Sequence, residues 1–193
     1  ADTGLYTCTA TNAAGNASLS YSLRVQVPPQ LLIGDGESHL TAVANDSLRI
    51  HCRAMGIPTP QIQWLKDGHP LGEQDSMVGS EDGGTLLITR VGLSHEGLYV
   101  CQGRSQAGVA RAEVQVSVQV PPNIEPSAVD LAVPENSMVS LECLASGLPA
   151  PRIAWYKGHE KFLAGPGQTL SRDGKRLEIR RAQLSDAGSY RCV

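Results

Sequence analysis

The sequence predicts an all-β protein of two-sheet sandwiches strung in tandem, and three observations carry that prediction. Apolar and polar residues alternate through the patterned stretches, no window repeats apolar residues at i, i+3, i+4 and i+7, and one short motif returns at a fixed interval.

The alternation places the strands. In "SLSYSLRVQV", Leu19, Tyr21, Leu23, Val25 and Val27 alternate with Ser18, Ser20, Ser22, Arg24 and Gln26, and "AEVQVSVQV" repeats that pattern after Cys101. Both read as long strands with one buried face. "SLRIHC" puts Leu48, Ile50 and Cys52 on one side, and "VSLEC" does the same with Val139, Leu141 and Cys143. Turn signals such as "NAAG", "KDGH", "EDGG" and "GPGQ" separate the strands.

The interval sets the domain organisation. "ADTGLYTC", "HEGLYVC" and "DAGSYRC" align Gly4, Gly97 and Gly188, then Tyr6, Tyr99 and Tyr190, then Cys8, Cys101 and Cys192. Upstream, "CRAMGIPTPQIQW" from Cys52 to Trp64 matches "CLASGLPAPRIAW" from Cys143 to Trp155, and "VQVPP" joints end at Pro29 and Pro122. The period is 91 to 93 residues. One complete module is expected at residues 28–120, the C-terminal end of a truncated module at 1–27, and a module truncated at its C-terminal end at 121–193. The first residues carry neither Met nor a secretion signal, so a fragment of a longer array is expected.

Cys52 and Cys101 fall on inward positions of separate strands, 49 residues apart, and Cys143 and Cys192 repeat that separation. Each pair is expected to bridge two packed sheets, a closure worth roughly 4 kcal/mol in the chain-entropy model. Trp64 and Trp155 would lie against the bridges. Tyr99 would tie its hydroxyl to the preceding corner, with Tyr6 and Tyr190 in the same place in their copies and Gly97 supplying a tight turn. Cys8 is expected to be unpaired by truncation and, as a free thiol, able to dimerise.

The combined pattern of "GxPxPxIxWxKxG" after the first Cys, "LxI" before the corner, then "DxGxYxC" and an "NxxG" turn resembles the I-set immunoglobulin repeats of extracellular adhesion and matrix proteins. The resemblance covers essentially the whole chain and implies tandem immunoglobulin-like sandwiches. The "VQVPP" joints are most similar to those of the hemicentin family of basement-membrane proteins.

The chain departs from that pattern in places. His95 stands where the pattern has Asp, removing a corner charge held at Asp2 and Asp186, and reads as an exposed turn residue. Asn45 and Asn136 stand where Gly is common, which a left-handed turn tolerates. The sheet holding Cys192 is expected to have an unpaired edge and marginal stability.

No enzyme is expected. His39, His51, His69, His95 and His159 are scattered, without H-E-x-x-H or Cys-x-x-Cys, and no catalytic triad or phosphate-binding loop is present, so neither metal nor cofactor is implied. "GDGES" and "SEDGG" read as solvated turns rather than calcium loops. Net charge is -3, divided unevenly: six Lys and Arg against ten Asp and Glu in residues 28–120, nine against eight in 121–193. Arg172, Lys175, Arg176, Arg180 and Arg181 form a basic cluster that reads first as a solvated face and second as a weak contact for sulfated polysaccharide. Aromatic interleaving is missing, which excludes a nucleic-acid reading.

"NAS" at Asn16 and "NDS" at Asn45 are N-glycosylation sequons, and with paired cysteines they indicate a secretory route. No apolar run reaches the length of a membrane span. The proline-stiffened joints imply a semi-rigid rod whose weak contacts add along its length. The expected function is an adhesive or structural spacer in a secreted matrix, basement-membrane or cell-surface protein, and homophilic adhesion is implied by the resemblance. Its partners are other immunoglobulin modules, matrix proteins or cell-surface proteins. The alternatives are the ectodomain of a signalling or axon-guidance receptor, a matrix enzyme with a separate catalytic domain, and an intracellular filament array with reduced thiols.

Overall fold

The computed structural model describes residues 2–72, 77–79, 83–126 and 130–193, the segment 77–79 by its backbone. The chain forms two compact units, residues 1–118 and 119–193.

The first unit opens with a hairpin of β1 (Gly4–Asn12) and β2 (Gly15–Leu23), paired so that Tyr6 faces Tyr21 and Cys8 faces Leu19. The Asn12 carboxamide oxygen accepts the N–H groups of Ala14 and Gly15 at 2.8 and 3.1 Å, which closes the turn. Leu5, Leu19, Tyr21 and Leu23 of this hairpin are exposed, and among the described residues it forms a sheet of two strands. The long strand read from "SLSYSLRVQV" also stops at Leu23 and resumes only at Val27.

A sandwich follows, built from β3 (Val27–Ile33), β4 (His39–Val43), β5 (Leu48–Ile57), β6 (Gln61–Lys66), β7 (His69–Pro70), β8 (Met77–Gly79), β9 (Thr85–Ile88), β10 (Gly97–Ser105) and β11 (Gly108–Ile124). One sheet runs β3-β5-β9-β8; the other runs β11-β10-β6-β7, with β4 also paired to β11. The alternation read from the sequence sets the burial. In β5, Ile50 and Cys52 are buried while Arg49, His51 and Arg53 are exposed, and in β11 Val114, Val116 and Val118 are buried. The two inner faces close on Ile50, Ile88, Tyr99 and Cys101, none of which retains measurable exposure.

The second unit takes the last residues of β11 together with β12 (Val139–Glu142), β13 (Ala145–Leu148), β14 (Trp155–Lys157), β15 (Glu160–Lys161), β16 (Gln168–Leu170), β17 (Arg176–Ile179) and β18 (Tyr190–Cys192). Its sheets are β12-β17-β16 and β15-β14-β18, while β13 pairs with the end of β11. Cys143, Ala145, Trp155 and Leu177 form its core. Among the described residues β18 pairs with β14 alone.

Candidate functional site

The informative geometry is that of the sheet-bridging core, the corner beside it and the outward surfaces. Cys52 and Cys101 are joined with their Cα atoms 6.4 Å apart, and Cys143 and Cys192 with theirs 6.2 Å apart. Trp64 sits opposite Cys101 in the register of β6 and β10, and Trp155 sits opposite Cys192 in that of β14 and β18. Each indole must place its N–H. Trp64 Nε1 donates to the Gly83 carbonyl and Trp155 Nε1 to that of Gly174, both at 2.7 Å.

Of those two glycines, only Gly83 falls in a turn signal of the sequence, "EDGG". Both have φ in the left-handed region, +70° and +72°, and a Cβ would stand 3.3 Å from Ile62 O in one and 3.1 Å from Ile153 O in the other. The signal was present in the sequence as an equal separation of 19 residues between each Trp and its Gly.

At the corner, the Tyr99 hydroxyl donates to the His95 carbonyl at 2.8 Å, Tyr190 to Asp186 at 2.7 Å and Tyr6 to Asp2 at 2.8 Å. His95 is not the exposed turn residue expected from its sequence. It is half-buried, and its Nδ1 accepts the Gly92 N–H at 2.8 Å, the bond that Asp186 Oδ2 makes to the Gln183 N–H at 2.9 Å in the other unit. A backbone N–H can only donate, so Nδ1 carries the lone pair and the ring proton sits on Nε2.

Gly97 has a different reason from the tight turn expected of it. Its φ is 148°, and an ideal Cβ would lie 2.6 Å from Oδ2 and 2.7 Å from Oδ1 of Asp67. Asp67 follows β6, accepts the Leu98 N–H at 2.9 Å and pairs with Lys66 at 3.0 Å. The Leu98 N–H first, then Lys66, hold its carboxyl below the ordinary carboxylate range. In the second unit Gly158 occupies this place after the strand, and Lys157 instead reaches the Ser185 carbonyl and the face of Tyr190.

The remaining sequence-predicted positions lie on the surface. Cys8 is a free, exposed thiol. Asn16 is exposed on β2, and Asn45 is exposed in the turn between β4 and β5 with φ at 73°. Asn136 takes the same left-handed conformation, φ 67°. Within the basic cluster, Arg176 is committed to Glu142 at 2.9 Å and Glu178 at 3.7 Å, while Asp173 accepts from Ser171 and from the Lys175 N–H. "GDGES" forms a 3-10 turn over Gly34–Gly36; Ser80, Glu81 and Asp82 of "SEDGG" lie outside the described residues. Among the described residues no three His, Cys, Asp or Glu side chains gather as a metal site, and no helix is long and apolar enough to cross a membrane.

The outer face of the β10-β6 pair has a definite chemistry. Leu65 faces Val100 and Gln63 faces Gln102 in register, and Arg111 on β11 donates to Gln102 at 2.8 Å. A half-buried apolar row is thus bordered by polar side chains.

Residues 34–118 match the model of the immunoglobulin I-set domain, and residues 121–193 match that of the immunoglobulin domain. The chain is built of immunoglobulin domains, the first of them an I-set domain. Hemicentin-1 of Mus musculus is 38% identical over 194 residues, which is 100% of this chain and 3% of hemicentin-1. Hemicentin-2 of Mus musculus is 32% identical, covering 98% of this chain and 6% of its own length. This immunoglobulin chain therefore spans a few per cent of the length of those relatives. A solved fragment of titin, domains I67–I69, superposes with a TM-score of 0.84 at 26% identity, covering 99% of this chain and 69% of the fragment. The cystine, Trp and Tyr hydrogen bonds recur in both immunoglobulin units.

Proposed function

We propose that the chain is a non-catalytic adhesive or structural spacer segment of an extracellular, hemicentin-like immunoglobulin array, mediating cell–cell or cell–matrix adhesion. The observation that carries this reading is the pair of cystines joining the sheets, since such bonds persist in oxidising compartments. Relation to hemicentins along the whole chain supports the same reading. The row of Leu65 and Val100, bordered by Gln63, Gln102 and Arg111, has the apolar centre and polar rim of a protein-contact face. Repeated modules multiply weak contacts of this kind. A weak contact with sulfated polysaccharide belongs to the same reading and falls to Arg172, Lys175, Arg180 and Arg181, because Arg176 is already paired.

The test is aggregation of beads coated with the chain in its native flanking modules. Clustering that Leu65→Glu weakens is the expected result. Beads that neither cluster nor bind a basement-membrane extract would overturn the adhesive reading.

A further inference from the structure

The turn carrying Asn45 occurs twice, and the two copies separate what the fold needs from what it does not. Asn45 N–H donates to the Val91 carbonyl at 2.8 Å and Val91 N–H to Asp46 at 2.8 Å; Asn136 N–H donates to Ala182 at 2.8 Å and Ala182 N–H to Ser137 at 2.9 Å. The asparagines sit at φ 73° and 67°, where side chains other than Asn and Asp are rarely found. Backbone geometry thus accounts for Asn in both units and says nothing about modification.

The difference lies two residues on. Ser47 stands in one turn and Met138 in the other, and Met138 is 67% exposed, so the position demands no hydroxyl. Among the described residues the Ser47 side chain is exposed and enters no hydrogen bond. It completes the sequon Asn45-Asp46-Ser47. The sequon at Asn16 lacks this contrast. There Ser18 bonds the Thr9 hydroxyl at 2.8 Å, beside a Thr7 and Ser20 pair at 2.8 Å, so its hydroxyl already has a place in the hairpin.

We infer that Asn45 carries an N-linked glycan. The folded side chain suits the product: Arg90 Nε donates to Asn45 Oδ1 at 3.1 Å, and a guanidinium can only donate, so Nδ2 is left to bear the substituent. In the transfer, Nδ2 bonds to C1 of an oligosaccharide carried on a lipid diphosphate. One amide proton leaves, the C1–O bond breaks, and the lipid diphosphate departs with its electron pair. The turn joins β4, in the sheet of β11, to β5, in the opposite sheet, so the sugar sits at an end of the sandwich and leaves both outer faces open to protein contact.

The inference rests on the extracellular reading, and its test separates the two. The chain is secreted within its native flanking modules, treated with peptide N-glycosidase and mapped by mass spectrometry alongside Ser47→Met and Ser47→Thr. Conversion of Asn45 to Asp in the natural sequence and in Ser47→Thr, with none in Ser47→Met, is expected. Ser47→Met should fold, because the other turn already holds Met at that position. Unmodified Asn45 in secreted protein with both cystines formed overturns this inference and leaves the adhesive reading standing. Unmodified Asn45 with free thiols overturns both.

Discussion

The carboxylate of Asp67 accepts the Leu98 N–H at 2.9 Å and lies directly over Gly97, so the turn after β6 is fastened to the start of β10 through a space that only glycine leaves open. Gly97→Ala should lose roughly 2 kcal/mol, from left-handed strain and collision with the carboxylate. Adding Asp67→Ala should recover part of that loss, giving a sub-additive pair in urea unfolding. Gly188→Ala should cost less, because its Cβ meets the flexible Lys157 side chain at 3.3 Å.

The same carboxylate sets a pH dependence. Its pKa is depressed in the fold by the Leu98 N–H and Lys66, so its contribution is present above the unfolded value near 3.8 and is lost as pH falls through the folded value. Asp67→Asn keeps an acceptor oxygen and cannot titrate. Acid titration of thermal stability should fall less steeply for Asp67→Asn than for the natural sequence below that pH; equal slopes would show that Asp67 contributes nothing.

Tyr99→Phe removes the hydroxyl by which the fully buried Tyr99 reaches the His95 carbonyl and should cost about 1 kcal/mol. Tyr190→Phe should cost less, since Tyr190 is half-buried and water can reach the Asp186 carbonyl in its place. Denaturant midpoints of the two variants check the order.

Exchange should differ between the two Tyr-bearing strands. Tyr190 is half-buried where Tyr99 is fully buried, and among the described residues β18 has a strand on one side while β10 has β11 and β6 on its two sides. Hydrogen exchange should be faster at Tyr190 and Arg191 than at Tyr99 and Val100. Equal protection would contradict this.

Much of the fold was legible because period-two alternation and a repeated Cys, Trp, Tyr and Cys spacing each specify an inner face. The role of Gly83 and Gly174 was less visible, since a carbonyl that accepts an indole N–H leaves no composition signal, only a matched separation. In the sequence His95 reads as a lost corner charge, whereas the corner needs an acceptor, which imidazole also supplies. Asp67 was hidden by its absence from the other unit, where Gly158 stands. In the hairpin, alternation marks the strands and the face able to be buried, but not the sheet that would bury it.

The most direct test of the extracellular account is thiol trapping on the protein isolated from its own cells, with alkylation before and after reduction and intact or peptide mass as the readout. The account predicts that Cys52, Cys101, Cys143 and Cys192 resist alkylation until reduced. Alkylation of all four before reduction would contradict it and favour an intracellular filament array.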